Sequence, residues 1–181
     1  MKFNIPIKKT VIALSLVGLM ALLFPGCEKD DICPEDSATT PLLVITFHDS
    51  DDRDVREAVN TLSVYGQGME APVDTFRDST SIDSIAIPLK LFENETVYAF
   101  TLNSIQINQN GDTLRVKNAD TLRFRYQTEQ HFISRACGFI TNYSGLTAER
   151  DTDDSQQWIS SLEIVNPTIQ YQNTAHVKIY H

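Results

Sequence analysis

From residue 42 onward the chain alternates apolar and polar positions with a period of two, and clusters of turn-forming residues interrupt it at short intervals. Side chains on an extended backbone point to opposite faces in turn, so this period marks half-buried strands. Leu42 to His48 is an apolar, β-rich run, and Asp49 to Asp54 reads as an acidic loop. Thr61 to Tyr65 alternates and stops at Gly66-Gln67-Gly68. Residues 67–81 read mostly as loop, with a short strand at Val73–Phe76. Ile82, Ile85, Ile87 and Leu89 outline the next strand. Tyr98, Phe100 and Leu102 share one face, and extended structure continues through Ile105 and Ile107 to Asn110-Gly111-Asp112. Asn-Gly is the strongest short hairpin signal, and Leu114 and Val116 fit its return strand. Leu122, Phe124 and Tyr126 point inward while Thr121, Arg123 and Arg125 point outward.

The remaining stretches carry weaker signals. His131 to Ile140 reads as one more run, Asn142 to Ser155 as a long polar loop, and Trp158 to Val165 as a stretch ending in strand. Thr168 to Tyr171 and His176 to Tyr180 form a last pair. Residues 52–60 allow one helical turn, and no other stretch carries a helical period. Nine or ten short strands at regular turn spacing predict an all-β domain, an antiparallel β-sandwich that is immunoglobulin-like or similar, over residues 42–181.

The first 26 residues follow a different pattern. Lys8-Lys9 precedes the uncharged apolar run Val11 to Phe24, which is 14 residues long. A membrane-spanning helix needs about 20 apolar residues and a signal-peptide core about 7–15, so residues 1–26 read as an export signal. Pro25-Gly26 breaks it before Cys27. The positive start, apolar run, small residue and cysteine together resemble the bacterial lipobox, which implies cleavage before Cys27 and a lipid on its thiol. Phe24 and Pro25 depart from the usual residues of that box. The alternative is a plain secretory signal with an incidental cysteine. Lipid chains contribute about 0.8 kcal/mol per buried methylene, so two or three of them hold durably. Lys29-Asp30-Asp31 resembles the export signal that sends Bacteroidota lipoproteins to the outer face of the outer membrane. The periplasmic leaflet is the alternative address, and a solvated charged tether the bland reading. Residues 27–41, charged and then rich in Pro, Ser and Thr, read as the lipidated acidic tether.

Charge narrows the partners. Residues 1–26 hold three of the 15 basic residues and no acid, which leaves 12 basic against 24 acidic after cleavage. That balance argues against nucleic acid or an anionic membrane surface as a partner, because both are polyanions.

With Cys27 assigned to lipid, Cys33 and Cys137 are an even pair in an oxidising compartment, which predicts a disulfide between them. Two free thiols are the alternative. The acidic runs 49–54 and 151–155 fail the calcium-loop pattern, because Arg53 stands at a ligand position and Leu162 where a bidentate glutamate belongs. His48, His131, His176 and His181 show no metal-ligand spacing. No cofactor-binding, metal-binding or catalytic residue is assigned. Arg123, Arg125 and Arg135 outline either a basic stripe or outward positions paired with acids. Trp158 reads as a core anchor or, with Tyr143 and Tyr171, as a platform for a sugar. Nine of the 15 aspartates precede Ser or Thr, although those two types make up only 30 of 181 residues. Five of these sites, Ser37, Ser79, Ser84, Thr113 and Thr121, resemble the O-glycosylation sequon of exported Bacteroidota proteins, with Ser37 expected to be the most accessible. The bland reading is that Asp-Ser/Thr marks turns and strand starts, as at Asp112 and Asp120.

Cys27-Glu-Lys-Asp-Asp-Ile-Cys33-Pro34, Thr39-Thr-Pro-Leu-Leu-Val-Ile45, Ser134-Arg-Ala-Cys-Gly-Phe139 and His176-Val-Lys-Ile-Tyr180 together resemble a family of small Bacteroidota lipoproteins of unknown function. The resemblance implies a compact β domain on a lipid anchor and no activity. The expected function is a non-enzymatic binding or envelope-assembly module at the outer membrane, held by the lipid on Cys27, with an outer-membrane protein as partner. A carbohydrate-binding or adhesion module with a glycan partner is the alternative, and a hydrolase ranks third.

Overall fold

The computed structural model describes residues 32–76, 81–107, 110, 112–151 and 156–181. These described residues form eight strands: β1 (Leu43–His48), β2 (Leu62–Gly66), β3 (Ser84–Ile87), β4 (Glu95–Ile107), β5 (Thr113–Ser134), β6 (Gly138–Arg150), β7 (Ser161–Ile164) and β8 (Val177–Tyr180). No helix occurs among the described residues, nor a helix long and apolar enough to cross a membrane. The strands form two four-stranded sheets, ordered β3-β1-β8-β7 and β2-β4-β5-β6. Together they make the expected β-sandwich.

The core is the sum of the inward positions of both sheets. Leu43, Ile45 and Phe47 of β1, Ile85 and Ile87 of β3, and Val177 and Ile179 of β8 come from one sheet. Val64, Phe100, Leu122 and Phe124 come from the other, all fully buried. The alternation at Leu122, Phe124 and Tyr126 holds as read from the sequence, and so does the hairpin at Asn110, where Ile107 pairs with Thr113. Trp158 anchors the segment leading into β7. Its indole N–H donates to the Phe100 carbonyl at 3.0 Å. The Asp120 carboxylate accepts the backbone N–H of Trp158 at 3.1 Å and of Ile159 at 2.8 Å. Asp120 is therefore a buried carboxylate inside β5, not the residue at a strand start that its Asp-Thr context suggested.

Several expectations are corrected. The stretch read as a loop from Asn142 is β6 up to Arg150, and residues 152–155 lie outside the described set. Thr141 and Tyr143 are buried, then Leu146, so the buried parity changes across Ser144 and Gly145. Gly145 sits there at φ 63°. A bulge at a left-handed glycine produces this shift, and it hides the strand from a period-two reading. His131 to Ile140 is not one run, because residues 135–137 turn the chain from β5 into β6. Val73–Phe76 is not a strand, although Val73 N–H donates to Val64 O at 2.8 Å. Residues 52–60 form turns and a bridge from Arg56 to His48, not a helical turn. Ile169 bridges to Tyr143 rather than pairing with the last strand. β8 instead runs parallel to β1, with Ile45 opposite Val177, and antiparallel to β7. The β1–β8 pair is thus an exception to the antiparallel rule.

The connection from β3 to β4 crosses between the sheets, and three tyrosines hold it. Tyr98 of β4 donates its hydroxyl to Pro88 O. Tyr143 of β6 donates to Leu89 O at 3.2 Å, and Tyr126 of β5 to Lys90 O at 3.2 Å. Burial pushes the Tyr98 and Tyr143 phenols up to about 12. It raises Tyr126 as well, against the hydrogen bond to Thr96. A phenol that ionises later folded than unfolded supplies stability below the ordinary value of 10.0, and loses it as pH rises through the folded value. Spectrophotometric titration should therefore show Tyr98, Tyr126 and Tyr143 ionising only above the ordinary phenol range, together with unfolding. Tyr143→Phe should cost about 1–3 kcal/mol in denaturant unfolding, because Leu89 O is left buried without its donor. An unchanged midpoint would show that the hydroxyl does not hold the loop.

Candidate functional site

Two features outside the core stand out: the disulfide turn and a groove. The described residues fall into two compact units, a small one of residues 32–37 with Ser134–Gly138, and the sandwich. Within the small unit Cys33 and Cys137 are bonded, with S–S 2.00 Å and Cα–Cα 4.8 Å. The turn is built locally. Gly138 takes a left-handed φ of 72°, and the Ser134 hydroxyl accepts the Cys137 N–H at 3.0 Å. The Ser37 hydroxyl lies 3.4 Å from Cys137 Sγ. Cys27, Lys29, Asp30 and Asp31 lie outside the described residues.

Within the sandwich unit lies an open groove of about 640 Å³. Ala38, Thr39 and Pro41 line it before β1, Ile140 and Asn142 from β6, and Gln170 to Asn173 from the loop before β8. Its chemistry is amide and hydroxyl, with one aromatic ring, Tyr171, left 71% exposed. No carboxylate, histidine or cysteine lines it. Asn142 Oδ1 is a buried acceptor there without a hydrogen-bond partner. Thr40, adjacent to this lining, accepts the Thr141 N–H through its hydroxyl at 3.0 Å.

The sugar platform around Trp158 does not form: Trp158 packs on Phe47, and Tyr143 is buried in the core beside Tyr126. Only Tyr171 of that trio faces solvent. Arg123 and Arg125 are paired with acids rather than free. Glu95 takes Arg123 at 2.6 Å and Arg125 at 2.9 Å, and Glu149 takes Arg125 at 2.7 Å. Burial works against the Glu95 charge, but the two guanidinium hydrogen bonds outweigh it and hold the carboxyl below the usual range. Exposed pairs of this kind contribute little each.

The histidines serve the fold. His176 Nδ1 accepts the Val44 N–H at 3.0 Å, and burial keeps the ring neutral below its ordinary value. His48 bonds Thr46, and burial followed by the charge of Lys178 lowers it too. Among the described residues no three His, Cys, Asp or Glu side chains gather as a metal set. The first acidic run folds as a turn in which Asp49 accepts the Asp51 N–H at 2.7 Å. Of the sequon residues, Thr113 is exposed at the start of β5, whereas Ser37, Ser84 and Thr121 are half-buried and Ser79 lies outside the described residues. Ser37 is therefore not the most accessible of them.

The model of a family of unknown function (DUF6452) matches residues 61–181. That span holds seven of the eight strands, while β1, which sits between β3 and β8, precedes it. No curated protein matches the chain, and no solved structure does.

The disulfide closes a span of 104 residues. A link across a loop of that size restricts the unfolded chain, so reduction or Cys137→Ser should lower unfolding free energy by about 2–5 kcal/mol. Thiol counting on denatured, unreduced protein should find neither Cys33 nor Cys137 reactive. Two reactive thiols at these positions would overturn the pairing.

Proposed function

Because the chain belongs to the family of unknown function DUF6452, we propose its role from its own residues. It is a lipid-anchored outer-membrane protein of the Bacteroidota lipoprotein type, acylated on Cys27 and directed to the cell surface by Lys29-Asp30-Asp31. It presents its β-sandwich as a non-enzymatic binding or envelope-assembly module beside an outer-membrane protein. The observation that carries this reading is the Cys33–Cys137 bond. Five residues lie between Cys27 and Cys33, and at most about 3.6 Å per residue step holds Cys33 within about 22 Å of Cys27 along the chain. Such a short tether suits a subunit fixed beside a membrane partner better than a far-reaching adhesin.

A second reading has its own support. An exposed tyrosine ring among amide side chains offers a stacking face and paired donors and acceptors, the chemistry that suits a glycan. The sugar-binding alternative therefore moves from Trp158 to Tyr171.

Cells fed an alkyne fatty acid should label the native chain and not Cys27→Ser, and protease added to intact cells should degrade the anchored domain. A labelled but protected domain would place it on the periplasmic leaflet instead. On a glycan array, Tyr171→Ala should weaken any glycan bound by the native protein about tenfold, the equivalent of about 1.4 kcal/mol. Undiminished binding would remove the groove from the glycan reading.

A further inference from the structure

The β5–β6 hairpin carries an anomaly. The first residue of β4, Glu95, pairs with Arg125. From there to its end at Ser134, β5 runs past β4 and, among the described residues, has only β6 as a strand neighbour. On this extension Phe132 and Phe139 meet edge to face with ring centroids 5.2 Å apart, and both are solvent-exposed, at 59% and 64%. Counting in twos along β6, Phe139 shares a side with Thr141 and Tyr143, which are buried. Counting back along β5, Phe132 shares a side with Tyr126, Phe124 and Leu122. The pair is thus the core-facing row of this sheet carried on without burial. Single exposed apolar residues are ordinary, but a packed aromatic pair left in water marks an interaction surface.

Two further observations identify what covers it. The first is charge. Residues 130–148 contain no acid in a chain with 24 of them, and Arg135 is their one Lys or Arg. An acid-free, aromatic hairpin with one cation suits a phospholipid surface and contrasts with the rest of the domain. The second is tethering. Phe139 is two residues from Cys137 and Phe132 is five, and Cys137 is bonded to Cys33. At about 3.6 Å per residue at most, the backbone of Phe139 lies within about 7 Å of the residue that the lipid tether holds. The two rings are the exposed large apolar side chains of the sandwich closest in sequence to that fastening point.

We propose that Phe132 and Phe139 form a bilayer-docking face. They insert into the headgroup–acyl boundary of the anchoring leaflet and convert a swinging tether into a fixed orientation of the domain. Aromatic side chains are favoured at this boundary, and a second membrane signal beside a lipid chain strengthens and orients attachment. The proposal rests on the reading that Cys27 is acylated.

The test uses the acylated chain purified from membranes, its mass confirming lipid on Cys27, in phosphatidylcholine vesicles with brominated acyl chains. Bromine quenches only nearby indoles, and the native protein has a single one, Trp158, packed against Phe47. Phe132→Trp and Phe139→Trp should each add emission that brominated lipid strongly quenches, while Trp158 emission in the native chain stays unchanged. Far-UV circular dichroism confirms that each variant is folded. Acylated, folded variants whose added indoles are unquenched would overturn the docking face and assign the pair to a protein partner. Absence of lipid on Cys27 would overturn the anchoring reading itself, and the mass spectrum reports that separately.

Discussion

Three consecutive carbonyls, those of Pro88, Leu89 and Lys90, each accept a tyrosine hydroxyl, and the three tyrosines come from three adjacent strands of one sheet. This is the constraint on which the sandwich depends. A loop that leaves one sheet for the other carries backbone polar groups through a region closing over the core, and each must find a partner. Tyrosine solves the problem because its ring belongs in the core while its hydroxyl reaches the edge. Another crossing, into β7, is held by the Asp120 carboxylate and the Trp158 indole. Two crossings are thus fixed by side chains that look from the sequence like a turn residue and a sugar-stacking ring, and neither serves as one.

The same physics explains which parts of the fold were legible. Residues 120–126 alternate without interruption because their inner faces meet a facing sheet while their outer faces stay partly open to water. β6 was illegible because Gly145 shifts its phase, so that no single parity describes the strand. The parallel pairing of β1 with β8 was illegible for another reason. Periodicity reports that a strand has a buried face, and says nothing about which neighbour lies beside it.

The candidate surfaces divide along the same line. The disulfide could be read by counting, because the lipobox resemblance sets Cys27 aside and leaves Cys33 and Cys137 as an even pair. The groove could not. Pro41, Ile140 and Tyr171 come from three distant parts of the chain, and each is unremarkable in its local context. Phe132 and Phe139 were hidden in the opposite way. Their alternation is that of core residues, and only the ending of the neighbouring strands leaves them in water.

The groove and the aromatic pair are linked through adjacent residues. Phe139 precedes Ile140, which lines the groove, and both belong to the first turns of chain after the disulfide. Phe139 and Ile140 are consecutive on β6 and so face opposite ways, which leaves the groove close along the chain to the proposed lipid tether but on the other side of the strand from the aromatic pair. If the chain is lipid-anchored as proposed, such a groove would meet ligands that are themselves held at the membrane, whether the exposed loop of an outer-membrane protein or a glycan anchored in the same leaflet, in preference to ligands free in the medium. Tethering raises their effective concentration, so even a shallow groove with one aromatic ring and a few amides can be occupied there. A site too weak for a free ligand is adequate for one confined to the same surface, and this reconciles the short tether with the modest chemistry of the groove.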